Sequence, residues 1–187
     1  MDRKKILLET IPVLFLCALG GLFTGFILGS MTRIFVLIPG LIALIPAIID
    51  MRGNICSTMG SRMGSAHHLG LVERGLTSKV TVENLKSSWA LSLFVGAILP
   101  FIFWLTSLFL DFTIELKTLI TLTLVSVSTG ITSGFLLSLS TYSIVMVAIK
   151  LKMDPDNISG PLLTTIGDVL TLLVLFFFAY LIGGLIM

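Results

Sequence analysis

The sequence predicts an all-α, polytopic membrane protein with five transmembrane helices, and three observations carry that prediction. Of its 187 residues, 56% are hydrophobic and only 12% are charged, whereas a soluble domain carries about 25% charged residues. The mean hydropathy is +1.10. Several uncharged runs reach the ~20 residues that a helix needs to cross a hydrocarbon layer of ~30 Å. These runs are continuous, which argues against a membrane β-barrel, whose strands change face at every residue. The formal net charge of +2 names no partner, and nothing in the composition points to nucleic acid.

The spans follow in order. The first covers about 6–28, after the basic patch Arg3, Lys4 and Lys5. A cleaved signal peptide opens in the same way, but this apolar run continues to Leu28 without a small-x-small cleavage signal, so it reads as a span. The second covers about 34–66. It is uncharged only to Ile49, ~24 Å of helix and too short to cross comfortably. The third, about 87–109, has Trp89 and Trp104 near its ends and Pro100 as a kink site. The fourth, about 116–149, is one long span or a hairpin of two. The fifth, about 160–186, opens on Ser159-Gly160-Pro161, a helix-start signal. Together they make a single membrane domain over 1–187.

Lysine and arginine placement decides the fourth span. With one span there, Arg3, Lys4, Lys5, Arg62, Arg74, Lys79, Lys86, Lys150 and Lys152 share one side, and only Arg33 and Lys117 lie on the other. Positive residues collect on the cytoplasmic face. Five spans in the cell membrane are therefore expected, with the N-terminus cytoplasmic and the C-terminus outside. A hairpin would put Lys150 and Lys152 on the wrong side.

Asp168 breaks the last apolar run. It lies ~10 Å along the helix from Pro161, too deep for a short side chain to reach water. A carboxylate at such depth costs about 2.5–3.5 kcal/mol on insertion scales and generally marks a pathway. Thr164 is one turn away on the same face and Thr171 lies near it. Hydroxyl and carboxylate oxygens suit a hard cation, and neither His nor Cys stands near Asp168 to favour zinc or copper. The bland alternative is an Asp buried for packing alone.

The second break is "PAIIDMRGNICSTMGSRMGSA" (46–66). Pro46 tends to kink the helix, and an interruption is expected near 50–54, at Gly53-Asn54, freeing carbonyl oxygens toward a water-filled path. Asp50 and Arg52 read as a partly wet, mutually neutralising pair. Ser57, Ser61 and Ser65, with Gly60 and Gly64, form small-xxx-small faces that let helices approach. The bland reading is a short span followed by a loop. In the fourth span Ser126, Ser128, Thr129, Thr132 and Ser133, with Gly130 and Gly134, read as helix glue or cavity lining. His67 and His68 are expected to be solvated, with a regulatory metal contact as the alternative. Asp154 and Asp156 read as a turn that could also draw cations to a cytoplasmic mouth. Cys17 and Cys56 lack CxxC spacing and suggest neither metal nor disulfide chemistry.

"GNICSTMGSRMGSAHHLG" (53–70) resembles the Gly-Asn segment of the MgtE-type magnesium transporters, and more closely that of their eukaryotic solute-carrier relatives. "DPDNISGPLLTTIGDV" (154–169) resembles the same family's second hallmark, in which an Asp-Pro turn leads into a helix bearing a pore aspartate. Order of motifs and span number match as well. The resemblance implies two five-span units with a pore between them. It makes Asp168 the ion-binding acid, Thr164 a wall position, Gly53 and Asn54 the break in span two, and Arg62 the motif arginine. The Gln that bacterial members often carry after Gly-Asn is absent here. Only five residues precede the first apolar run, so no cytoplasmic magnesium sensor is expected within this polypeptide. Eukaryotic relatives fuse two units and one occurs here, so a homodimer is expected.

The implied function is divalent cation transport, with Mg²⁺ as cargo and Mn²⁺, Co²⁺ and Ca²⁺ as further candidates, and no enzymatic activity. Two Asp168 carboxylates across a twofold axis would match one divalent ion. The rivals are an intramembrane aspartyl protease pairing Asp50 with Asp168, which lacks the usual Gly-x-Gly-Asp, and a non-transporting membrane scaffold.

Overall fold

The computed structural model describes residues 3–71, 78–110, 113–151 and 155–186. These are helical almost throughout, with no strand among them: α1 (Arg3–Ser30), α2 (Thr32–Leu37), α3 (Leu41–His68), α4 (Lys79–Phe109), α5 (Leu116–Lys150) and α6 (Pro155–Ile186). Five of the six are long and apolar enough to cross a membrane. The fourth span is a single helix, as the charge distribution required. At 1.5 Å per residue its 35 residues extend ~52 Å, well beyond the hydrocarbon at one end. Asp154, Arg74 and Lys152 lie outside the described residues.

The second span differs from expectation. Helix α3 runs unbroken through Gly53-Asn54, and the interruption falls earlier, at Ile38–Gly40, between α2 and α3. The reason is local hydrogen bonding. The Asn54 carbonyl accepts from Ser57 Oγ at 3.2 Å and Thr58 Oγ1 at 2.7 Å, so hydroxyls of the next turn serve it and no carbonyl is freed. At the real break, Gly40 takes φ 88°, a left-handed conformation open to glycine without steric cost. A Cβ there would also fall 2.7 Å from the Phe103 ring.

Helix α3 lies inside the bundle. It packs most extensively on α6 and also touches α4 and α5, while α4 pairs with α5, α5 with α6, and α1 with α6. Its apolar half, Leu41, Leu44, Ile45 and Ile48, joins Leu122 and Val125 of α5 and Leu172, Leu175 and Ala179 of α6 in the main core. Helix α1 stays peripheral: only Val13 and Ile27 are buried among its described side chains.

Lipid tails are as apolar as leucine, so helices associate in the bilayer by close packing. The α4–α5 seam shows this. Ser88, Ser92 and Gly96 recur every fourth residue on one helix and Ser126, Gly130 and Gly134 on the other, and all six are buried. A Cβ on Gly96 would meet the Ser126 carbonyl oxygen at 2.9 Å, and one on Gly130 the Ser92 carbonyl oxygen at 3.0 Å. Neither backbone can yield cheaply. Gly96→Val should therefore lower the unfolding free energy of the micelle-solubilised protein by about 1–3 kcal/mol, the usual range for overpacking. Gly21→Ala, which meets nothing within 4 Å, should leave it unchanged. Thermal denaturation of the two variants side by side checks this.

Candidate functional site

Within little more than one turn, α3 carries Asp50, Arg52, Gly53 and Asn54, and it sends them in two directions. Residues four apart share a helix face and residues two apart do not. Asp50 and Asn54 are accordingly exposed together, with Asn54 Nδ2 donating to Asp50 Oδ2 at 3.1 Å. Arg52 points the other way and is 1% exposed. The neutralising Asp50–Arg52 pair expected from their proximity in sequence does not form, because the helix holds them on opposite faces.

Arg52 lies in the α4–α5 seam. Its Nη2 donates to the Ser92 carbonyl at 3.0 Å, while Nε and Nη1 are buried with no hydrogen-bond partner. A Cβ on Gly130 would come 3.0 Å from Nη2, and one on Gly134 would come 3.3 Å from Nη1. The two glycines thus make room for a guanidinium. Ser88, Ser126 and Thr129 add buried, unpartnered hydroxyls to the same pair of helices.

On the opposite side α3 meets α6. A Cβ on Gly53 would stand 3.2 Å from Thr164 Cγ2, so the missing side chain brings the two backbones together at this level. The helices are antiparallel, since near the other end of α6 a Cβ on Gly183 would stand 2.9 Å from Ile38 Cδ1. Asp50 precedes Gly53 by ~4.5 Å of rise and Asp168 follows Thr164 by ~6 Å. With antiparallel helices both offsets run toward the same membrane face, so the carboxylates stand at one depth to within ~2 Å. That level is ~13 Å along α3 from Leu41, inside the candidate membrane span.

Asp168 itself is half-buried, with Oδ1 shut away from solvent and unpartnered. Thr164 is exposed and its Oγ1 donates to the Gly160 carbonyl at 3.0 Å. Thr171 is buried with an unpartnered hydroxyl. The structure therefore brings Gly53 against Thr164, sets Asp168 one turn further along α6, and joins Asn54 to Asp50 rather than Asp50 to Arg52. Arg62, also exposed, is a turn and more away, its Nε donating to the Thr58 carbonyl at 3.3 Å.

Carboxylate, amide and hydroxyl oxygens form the whole donor set, which fits a hard cation that keeps part of its water shell. His67 and His68 are exposed at the end of α3 with ring centroids 6.0 Å apart. Among the described residues no three His, Cys, Asp or Glu side chains gather as a metal cluster. Cys56 is buried and Cys17 half-buried, both as free thiols.

Fold and site together define a polytopic helical membrane protein whose α3 and α6 carry Asp50 and Asp168 at one level within its spans. The chain belongs to the MgtE family of divalent cation transporters, whose profile matches residues 45–178. Among curated relatives, the magnesium transporter MgtE of Bacillus subtilis is 27% identical over 172 residues, covering 89% of this chain and 35% of that protein. Solute carrier family 41 member 2 of Homo sapiens is 25% identical over 138 residues, 71% of this chain and 23% of its own length. Solute carrier family 41 member 3 of Rattus norvegicus is 24% identical over 168 residues, 88% and 36% respectively. The chain thus spans about a quarter to a third of the relatives it matches. No solved structure matches it significantly.

Arg52 yields a stability test. A buried charge with unpartnered donors contributes little net stability, and an apolar side chain of similar length relieves its desolvation. Arg52→Met should leave the unfolding free energy within about 1 kcal/mol of wild type or raise it. Arg52→Ala empties the space beside Gly130 and Gly134 and should cost about 2–5 kcal/mol. Chemical denaturation of both variants in micelles distinguishes the outcomes.

Proposed function

We propose that this chain carries divalent cations, Mg²⁺ foremost, across a cell membrane, with Asp168 and Asp50 as the acids that hold the ion and Asn54, Thr164 and Gly53 forming the wall around it. The observation that carries this reading is the exposure of Asp50, Asn54 and Thr164 on a single chain within helices long and apolar enough to cross a membrane. Such groups do not face lipid; they line water-filled paths or are covered by protein. A second copy, apposed across a twofold axis, closes this face into a pore. One copy is then a single membrane unit over 1–187, with its lysine-rich ends cytoplasmic and its C-terminus outside.

Mg²⁺ sheds its first-shell waters reluctantly and prefers octahedral oxygen. The carboxylates, the Asn54 amide and the Thr164 hydroxyl accordingly contact the water shell of a largely hydrated ion. Gly53 keeps the wall free of a side chain that would narrow the passage. Binding through water leaves the ion loosely held, as conduction requires. Mn²⁺, Co²⁺ and Ca²⁺ are cargo to be compared in the same assay.

Two carboxylates facing each other between helices would also serve an aspartyl protease, which the exposed Asn54 and Thr164 beside them do not require. Family membership supports the transport reading over that one and over a scaffold.

In proteoliposomes loaded with a Mg²⁺-sensitive dye, Asp168→Asn should reduce flux at least tenfold while the protein elutes at the wild-type size. Asp50→Asn should raise the half-saturating Mg²⁺ concentration several-fold. Wild-type flux in Asp168→Asn would sink the assignment. Mg²⁺ at ten times its dissociation constant should also stabilise the folded protein by about 1.4 kcal/mol, an increment the Asp168→Asn variant loses. A scaffold shows no such ion dependence.

A further inference from the structure

A second feature lies on the lipid-facing side of the α4–α5 pair, away from Asp50 and Asp168. Leu85, Lys86 and Trp89 of α4 and Phe135, Ser138 and Leu139 of α5 line an open groove of about 160 Å³. All but Lys86 and Ser138 present apolar or aromatic surface, and Ser138 Oγ is already engaged with the Gly134 carbonyl at 2.8 Å. Trp89 is 46% exposed, and its Nε1 donates to the Ile131 carbonyl at 3.1 Å. The indole is thereby pinned across the two helices with a face left open. Lys86, one turn before Trp89, is exposed.

Depth along the helices decides what this groove meets. Trp89 and Trp104 are ~22 Å apart along α4, toward opposite ends of the span. Thr118 at one end of α5 and Ser138 at the groove are ~30 Å apart, one hydrocarbon thickness. The groove therefore opens at the boundary between acyl chains and headgroups. Lys86 stands on the headgroup side of Trp89, where a lysine stem covers apolar surface while its ammonium reaches water. Exposed Glu83, a turn earlier, offsets part of that charge and exposed Lys79 restores it. The ammonium at the mouth is the charge complement of a phosphate-bearing headgroup, and Phe135 with Leu139 is the apolar complement of a tail.

We propose that this groove binds a phospholipid with a net-negative headgroup, the headgroup against Lys86 and an acyl chain along Trp89, Phe135 and Leu139. A single lysine at a charged membrane surface contributes about 1 kcal/mol, which corresponds to about fivefold selectivity for acidic over zwitterionic lipid.

Trp89 reports occupancy directly. The full chain carrying Trp104→Phe leaves Trp89 as the sole tryptophan of the two. It is reconstituted in phosphatidylcholine vesicles with rising fractions of bromine-labelled phosphatidylglycerol or bromine-labelled phosphatidylcholine. Half-maximal quenching is expected at about fivefold lower mole fraction of the acidic lipid. Lys86→Gln should abolish the preference, and Lys117→Gln at the opposite boundary should keep it. If Trp104→Phe does not fold, the difference between wild type and Lys86→Gln is read on the two-tryptophan protein. Equal quenching by both lipids, or a preference that survives Lys86→Gln, overturns the proposal. Absence of quenching by either lipid also overturns it, because the groove is then covered by protein.

Discussion

The site depends on one close approach, that of α3 to α6 at Gly53. Within lipid, helices gain nothing from hiding apolar surface, so where they touch is decided by how near their backbones can come. A Cβ at Gly53 would already stand 3.2 Å from the Thr164 methyl, and anything larger would wedge the helices apart. That contact fixes the antiparallel register, and the register brings Asp50 level with Asp168. Two acids that are remote in sequence stand at one level because Gly53 lets α3 approach α6 there. Below the contact, Leu41, Leu44, Ile45 and Ile48 pack against Leu172, Leu175 and Ala179, so the apolar part of the same interface holds the polar part in place.

The same helix faces a second polar environment on its back. Arg52 enters the seam between α4 and α5 where six small residues leave no bulk, and only one of its donors is known to be matched, to a main-chain carbonyl. An arginine held by a backbone oxygen acts as a peg: it cannot rotate α3 without losing its partner. Asp50 and Asn54, on the opposite face of that turn, are consequently held at a fixed azimuth. Rigidity on one side of the helix is what gives the other side a defined geometry.

Most of the architecture was legible because membrane spans are written in composition. Five spans, and the single fourth one, follow from apolar length and from where lysine and arginine fall. Asp168 and Thr164 stood out for a related reason, as oxygen groups on one face of an otherwise apolar helix. The position of the helix break was not. Gly53-Asn54 resembles a breaker, but Ser57 and Thr58 bond back to the Asn54 carbonyl and the helix continues, while the true break needs the left-handed Gly40 beneath Phe103. Asp50 and Arg52 are near along the chain but not in space, one exposed and the other buried. The i, i+2 spacing to Arg52 was visible and already argued for opposite faces. The hydrogen-bond partner of Asp50 is Asn54, one turn on in the same helix, while its level with Asp168 depends on the α3–α6 register, which no local pattern encodes.

The arrangement also bears on how tightly an ion can be held. Under the proposed twofold pairing, each copy contributes Asp50 and Asp168, so four carboxylates surround a cargo of charge +2. In a dry site that excess would trap the ion, since unit charges at 4 Å interact by about 4 kcal/mol even at an effective dielectric of 20. Two features oppose trapping. Asp50 Oδ2 is engaged by the Asn54 amide, which disperses part of its charge, and both Asp50 and Asn54 are exposed rather than enclosed. A hydrated ion in a wet cleft feels these acids through its water shell, at distances and dielectric values that leave enough attraction to select a divalent cation and too little to stop it. Exposure of Asp50 and Asn54, costly for a helix in lipid, is on this argument the condition for passage.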